Sequence, residues 1–399
     1  MKTRSLFVAL FVLAAFFNTA FADSFYSTQG LGLPHYYVSP QAAGMGHTGI
    51  GVRQYLAMNE MNPAALDLKE YTMVSVSFQG EIIDNTVADE TVNTRQANAS
   101  GFRFAMPILQ RRLAVVASLK PLVRSRTLMR FDEEYDEFAM TRTANANGGV
   151  TSASLGAEYA IMPGLRVGAM FDFNFGAYTE VWETEFDDEN YLDSKEDITS
   201  HLYGTGLQLG VLFTPFPFLS IGGIYKSGSS LTVETTTTTG AGVTLDPMNQ
   251  NAQYPTSIGG GVSVELTKWL FAADAYTQLW GNYTVDGFSG SVKNYYRFSA
   301  GMEYVDSKDF LDSYVRRIAY RIGASYAKLP FVDTQGVQAS EMFASVGFGF
   351  PFNRNLGRID IAIEYGERWS AEAYPYSEEL LRISASVTSA EKWFQRLYP

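Results

Sequence analysis

Apolar and polar residues alternate with period two over much of the chain. In RVGAMFDFNFGAY, Val167, Ala169, Phe171, Phe173 and Phe175 alternate with Arg166, Gly168, Asp172, Asn174 and Gly176. In YRFSAGMEY, Tyr296, Phe298, Ala300, Met302 and Tyr304 alternate with Arg297, Ser299, Gly301 and Glu303. IAYRIGASY and RIDIAIEYG repeat the pattern, with Arg321, Asp360 and Glu364 on their polar sides. Period two predicts strands with one apolar and one polar face. A soluble sandwich alternates as well, so the alternation leaves open which face is outside.

Spacing separates the two architectures. Strands are expected near 71–82, 97–106, 111–123, 149–160, 165–178, 200–213, 218–234, 255–265, 268–278, 293–305, 315–327, 341–350, 356–366 and 380–389, fourteen in all. The linkers alternate between short (107–110, 161–164, 214–217, 266–267, 306–314, 351–355) and long (83–96, 124–148, 179–199, 235–254, 279–292, 328–340, 367–379). An even strand count with short turns at one end and long loops at the other describes an all-β, transmembrane antiparallel β-barrel. A sandwich has no reason to sort its loops by parity. In lipid every backbone group must bond internally, and a closed barrel does this. Trp269, Trp280, Tyr283 and Trp369 stand at strand ends, where they suit aromatic girdles or, equally, ordinary loop packing.

Composition fits this reading. The chain has 24 Tyr, 28 Phe and 35 Gly but no Cys, which excludes thiolate metal sites and cysteine nucleophiles. It opens MKTRSLFVALFVLAAFFNTAFADS. Lys2 and Arg4, an apolar run from Leu6 to Phe17 and the small residues around Ala22 predict a signal peptide over 1–22. The run is short of the ~20 residues a membrane-spanning helix needs. Removing Lys2 and Arg4 would carry the net charge from −12 to −14, which argues against nucleic acid as a partner.

Between the signal peptide and the first strand lies SPQAAGMGHTGIGVRQYLAMNEMNPAALDL, poor in charge and without strand alternation. With fourteen strands the first rises from the periplasmic side, so this segment enters where it can fold into the lumen. A barrel of this size is too wide for wall side chains alone to fill. Residues 23–68 are therefore expected to form a plug, and 69–399 the barrel. Gly44, Gly46, Gly49 and Gly51 would allow close approach to the wall. In MNPA, Pro63 fixes φ and Asn62 can bond its own backbone, which predicts a turn.

The signal peptide, GMGHTGIGV and NEMNPAAL (Asn59–Leu66) just before the first strand resemble the FadL/TodX outer-membrane transporters of long-chain fatty acids and hydrocarbons. The resemblance implies an N-terminal hatch inside a fourteen-stranded barrel, with Asn62, Pro63 and Ala64 as the hatch motif. It implies uptake of hydrophobic small molecules across the outer membrane, with lipid around the wall and no cofactor. Related hatch-bearing barrels also serve protein secretion, and a porin is the other alternative. An open porin would not need an apolar N-terminal segment.

Under the barrel reading Arg166, Asp172, Arg297, Glu303, Arg321, Asp360 and Glu364 face the lumen, as do Arg103, Glu158, Asp274 and Arg382. Buried against a hatch they would have to pair, because an unpaired buried charge is expensive. Catalysis is not expected. The histidines are His35, His47 and His201, and the Ser200–His201 neighbours point to opposite faces of a strand. The acidic runs at 131–137 and 180–197 lack the ligand spacing of a calcium loop and are expected to be solvated loops, with no metal bound. The glycine triplet 259–261 and GLQLGVLF (206–213) are possible weak points of the wall.

Overall fold

The computed structural model describes residues 24, 33–34, 38–53, 58–59, 61–66, 70–87, 90–135, 138–188, 190–282, 292–332, 336–370 and 376–392. The expected signal peptide (1–22) and Tyr283 lie outside the described residues. Fourteen strands run in chain order, each antiparallel to the next. They are β1 (Tyr71–Val87), β2 (Glu90–Leu109), β3 (Leu113–Tyr135), β4 (Phe138–Met162), β5 (Leu165–Phe186) and β6 (Ser194–Phe216). Next come β7 in two pieces (Leu219–Lys226 and Ser229–Thr239) and β8 in two pieces (Met248–Tyr254 and Ser257–Glu265). The circuit continues with β9 (Trp269–Gln278), β10 (Tyr295–Val305), β11 (Ala319–Val332), β12 (Gln338–Phe352), β13 (Gly357–Trp369) and β14 (Tyr376–Lys392). β14 pairs with β1 from Tyr376↔Val87 to Lys392↔Tyr71 and closes the barrel.

The breaks in β7 and β8 lie side by side. Pro255 has no N–H to give the ladder. There Gly228 N donates to Thr256 Oγ1 (3.0 Å) and Leu207 N to Ser227 Oγ (2.8 Å), so side chains replace the missing rungs.

Burial is inverted relative to a soluble protein. Asp172, Asn174, Arg297, Arg321, Asp360 and Glu364 are buried, whereas Phe171, Phe173, Phe175, Phe298, Ile322 and Ile363 are exposed. This decides the question the alternation leaves open: the apolar face is the outside, as lipid requires. Register turns the short-turn end of that face into an aromatic row. Trp269 pairs with Tyr304, Tyr304 with Tyr320, and Tyr320 with Phe348. Trp280 departs from expectation: it is buried inside the barrel, edge-on to Tyr254 at 6.2 Å, and takes no part in the girdle.

The expected long loops at 83–96 and 124–148 are mostly strand. β3 and β4 pair from Leu113↔Tyr159 to Tyr135↔Phe138, leaving only two residues at the tip. β4 has 25 residues, far more than the ~9–11 a membrane crossing needs. The ladder continues beyond the bilayer, where lipid no longer requires an apolar outer face and the period-two signal ends. The acidic runs ride on these projecting hairpins: 131–135 ends β3, and 180–186 and 194–197 are strand in β5 and β6, so the expected loop is confined to the connection between Phe186 and Ser194. Among the described residues no three metal-ligating side chains converge. At the opposite end, the expected strand start at 315 is replaced by a one-turn helix, α2 (Tyr314–Arg317), and β11 begins at Ala319.

Candidate functional site

The glycine-rich N-terminal segment packs against the inner face of the wall. It includes one helical turn, α1 (Pro40–Ala43), capped by Ser39, whose side chain accepts from Ala42 N. Residues Gln41 to Val52 and Asn62 to Leu66 are buried throughout. Glycine meets glycine at the contacts. A Cβ built on Gly44 would lie 2.8 Å from Gly347 Cα, and one on Gly51 2.6 Å from the Gly261 carbonyl carbon. Gly301 and Gly323 have no room for a Cβ against the Met45–Gly46 backbone. Gly46 has φ +68° and His47 φ +69°, so the chain turns sharply here. Gly49 instead packs on Met61 within the segment. The small residues at 206–213 and 259–261 thus serve as landing sites for the segment: Gly210 contacts Asn62 and Pro63, and Gly261 contacts Gly51.

Wall side chains satisfy the segment's backbone. Asp274 Oδ2 accepts from Gly49 N (2.6 Å) and Ile50 N (2.8 Å). Ser345 Oγ accepts from Gly46 N (3.0 Å), and Ser263 Oγ donates to Gly51 O (2.8 Å). His47 bonds Glu364 through Nε2 and receives Arg297 at Nδ1 (3.4 Å). Asn62 is wholly buried. Its Oδ1 accepts from Ala64 N (2.9 Å), closing the turn. Its Nδ2 donates to Ile50 O (2.8 Å) and to Val211 O on β6 (3.0 Å), which joins turn, segment and wall through one side chain. Pro63 and Ala64 rest on Gly168 of β5. Asn59, which opens the NEMNPAAL stretch and was assigned no role from sequence, does similar work: Nδ2 donates to Gly49 O (2.5 Å) and Val52 O (2.9 Å). The Asn-x-x-Asn spacing was the available signal.

The remaining charges pair along the wall. Arg321 bridges Glu303 (2.6 Å) and Asp360 (2.8 Å), and Arg358 adds a second pair to Asp360 (2.8 Å). Arg166 pairs with Glu158 (2.5 Å), and Asp172 accepts from Ser154 and Gln208 (2.5 Å each). Arg166 and Asp172 therefore sit in separate wall contacts, away from the His47 centre.

Two further features were not legible as sites. On the long-hairpin side of the segment the interior becomes apolar. Leu122, Val123, Val150, Leu202, Leu231, Val233 and Tyr254 form one cluster. Trp280, Tyr295, Leu329, Phe331 and Tyr376 form another. The Tyr254–Trp280 contact joins them. The second feature is a split wall. β2 and β3 pair only between Phe102↔Leu119 and Leu109↔Leu113. Beyond that their edges separate, with a bulge of β2 against β1 at Ser77/Phe78. A cavity of about 430 Å³ opens there, with Ala99, Gly101, Phe102, Leu119, Pro121 and Val123 among its walls. Arg124 Nη2 reaches across to Ala99 O (3.3 Å), and Leu33–Pro34 pairs with Arg124–Val123 along the free edge. Pro121 inside a predicted strand was the signal for this break.

Solved barrels share this architecture. The Pseudomonas putida toluene transporter TodX superposes with a TM-score of 0.59 at 14% identity, covering 91% of this chain and 100% of its own. A Pseudomonas aeruginosa FadL homologue gives 0.60 at 12%, covering 90% and 99%. The Ralstonia pickettii toluene transporter TbuX gives 0.59 at 14%, covering 88% and 97%. The resemblance carried by GMGHTGIGV and NPAAL thus holds at the level of the fold. No curated protein matches the sequence. The BamG family model, by contrast, matches residues 1–398, and the chain therefore belongs to the BamG family.

Proposed function

We propose that this barrel takes up hydrophobic small molecules across the outer membrane, with residues 23–68 as a hatch inside the barrel of residues 69–399. The observation that carries the reading is the apolar interior on the extracellular side of the segment, from Leu202 and Leu231 to Trp280 and Phe331. Water has no use for such a lining, whereas a greasy solute gains roughly 25 cal/mol for each Å² it buries there. The split between β2 and β3 offers a way sideways into lipid, since backbone there is already released from the ladder. The solved neighbours are transporters and channels for toluene and monoaromatic hydrocarbons, which agrees with a non-enzymatic role.

The Asn62-Pro63-Ala64 turn and Gly44, Gly46, Gly49 and Gly51 shape the hatch. Asp274, Arg297 and Glu364 hold it to the wall. Uptake by proteoliposomes tests the reading, with radiolabelled toluene and a long-chain fatty acid as probes. The protein should accelerate entry of at least one probe over protein-free vesicles, and Leu231→Asp should abolish that gain while the barrel still folds. Entry no faster than in protein-free vesicles for either probe would reject the transport reading.

A further inference from the structure

The short-turn end of the barrel carries one turn that is unlike the others. The chain crosses from strand to strand in two to four residues at 110–112, 163–164, 217–218, 266–268 and 353–356, but takes 306–318 between β10 and β11. This turn is held rigidly. Asp306 pairs with Lys268 of the neighbouring turn and with Arg316 (2.5 Å), and Arg316 also pairs with Asp312 (3.5 Å). Lys308 pairs with Glu265 (2.9 Å). On the other flank Asn355 Nδ2 donates to Lys308 O (3.0 Å), and Arg317 donates to Asn355 Oδ1 (2.9 Å).

Clamped on both sides, the turn nevertheless presents Phe310, Leu311, Tyr314 and Val315, which are 47, 79, 47 and 64% exposed. Four large apolar side chains on a rigid exposed knob are not explained by folding, because among the described residues nothing covers them. Their place in the barrel says what does. The turn begins two residues beyond Tyr304 and ends two residues before Tyr320. Both belong to the outward aromatic row Trp269–Tyr304–Tyr320–Phe348. Tyr320 Oη donates to Val315 O (3.4 Å), which ties α2 to the lipid-facing side of the wall. The apolar cluster continues the lipid face by one step past the girdle. That is the level of the headgroup–acyl boundary, where amphipathic segments with aromatic and aliphatic residues settle. Arg317, whose guanidinium lies over the Tyr314 ring at 5.2 Å, is of the residue type that settles beside aromatic rings at such a boundary.

We propose that Phe310, Leu311, Tyr314 and Val315 insert into the periplasmic leaflet and that this turn is an interfacial anchor. It fixes the height and rotation of the barrel in the bilayer. The chain has no cysteine, so single labels can be placed cleanly. Leu311→Cys and Val315→Cys would each carry a nitroxide in the full-length protein, reconstituted in phosphatidylethanolamine–phosphatidylcholine bilayers. Asp246→Cys, on an exposed hairpin, gives the water reference, and Phe173→Cys the lipid reference. Heat-modifiable gel mobility checks that each variant is folded. Collision with dissolved oxygen relative to a water-soluble nickel chelate should be several-fold higher at 311 and 315 than at 246, approaching the value at 173. A ratio at both sites equal to that at 246 would place the turn in water, free for a protein partner, and would overturn the proposal.

Discussion

Gly323 and Gly46 meet backbone to backbone, and that contact shows what the glycines do. A Cβ on Gly323 would collide with the Met45–Gly46 peptide, which is main chain and cannot swing aside. Gly323→Val should therefore displace the segment at a cost of roughly 1–3 kcal/mol, typical of overpacking. The barrel, whose ladders are untouched, should keep its heat-modifiable mobility while the segment becomes susceptible to protease. Unchanged protease resistance would contradict the contact. Asp274→Leu tests the opposite kind of contact. It would leave the Gly49 and Ile50 amides without an acceptor, and an orphaned buried donor costs ~1–3 kcal/mol. Hydrogen exchange at those two amides should accelerate more than at Val346 on β12. The glycines of the segment were legible from composition, but their partners Gly210, Gly261, Gly301 and Gly323 were not. On a strand they look like any small residue on a polar face, and only the closed barrel brings them opposite the segment.

At the scale of the strand, β5 carries both environments on alternate residues. Phe173→Arg puts a charge on the lipid face and should cost ~2–4 kcal/mol if the site lies near the bilayer midplane. Asp172→Leu, on the inner face of the same strand, should leave membrane insertion largely intact. Equal insertion yields for the two in a folding assay would overturn the sidedness. The periplasmic turn gives a pH test. Hydrogen bonds from Lys268 and then Arg316 hold the Asp306 carboxyl down at about 2. The stabilisation is present above the ordinary carboxylate value of ~3.9 and is lost as pH falls through about 2. A carboxyl carbon titration by NMR should place the Asp306 midpoint near 2, and a midpoint at the ordinary value would break the clamp. Period two revealed fourteen crossings because lipid imposes it. It said nothing of the hairpins beyond the bilayer, where Arg124–Tyr135 pairs with Phe138–Gly149 and charged residues such as Arg126, Arg130 and Asp132 break the apolar alternation. The α2 turn was hidden for a related reason: four residues are too few for a helical period, so Tyr314 read as the end of the linker and Val315 as the start of the next strand.

For the whole molecule, an inverted barrel and a buried N-terminal segment form one system of contacts. The segment reaches β5 through Pro63, β6 through Asn62, β8 through Gly51, β9 through Asp274, β11 through Gly46 and β13 through His47. Such contacts around the circumference cross-brace a wall that is weakened at the β2–β3 split and at the β7 and β8 breaks. The central claim is that this segment closes the lumen, and single-channel conductance in planar bilayers tests it most directly. The parent protein should be closed or nearly so, and deletion of Gly44–Asn59 should give a folded barrel with large, steady conductance. A parent that already conducts like an open porin, with little change on deletion, would contradict the account.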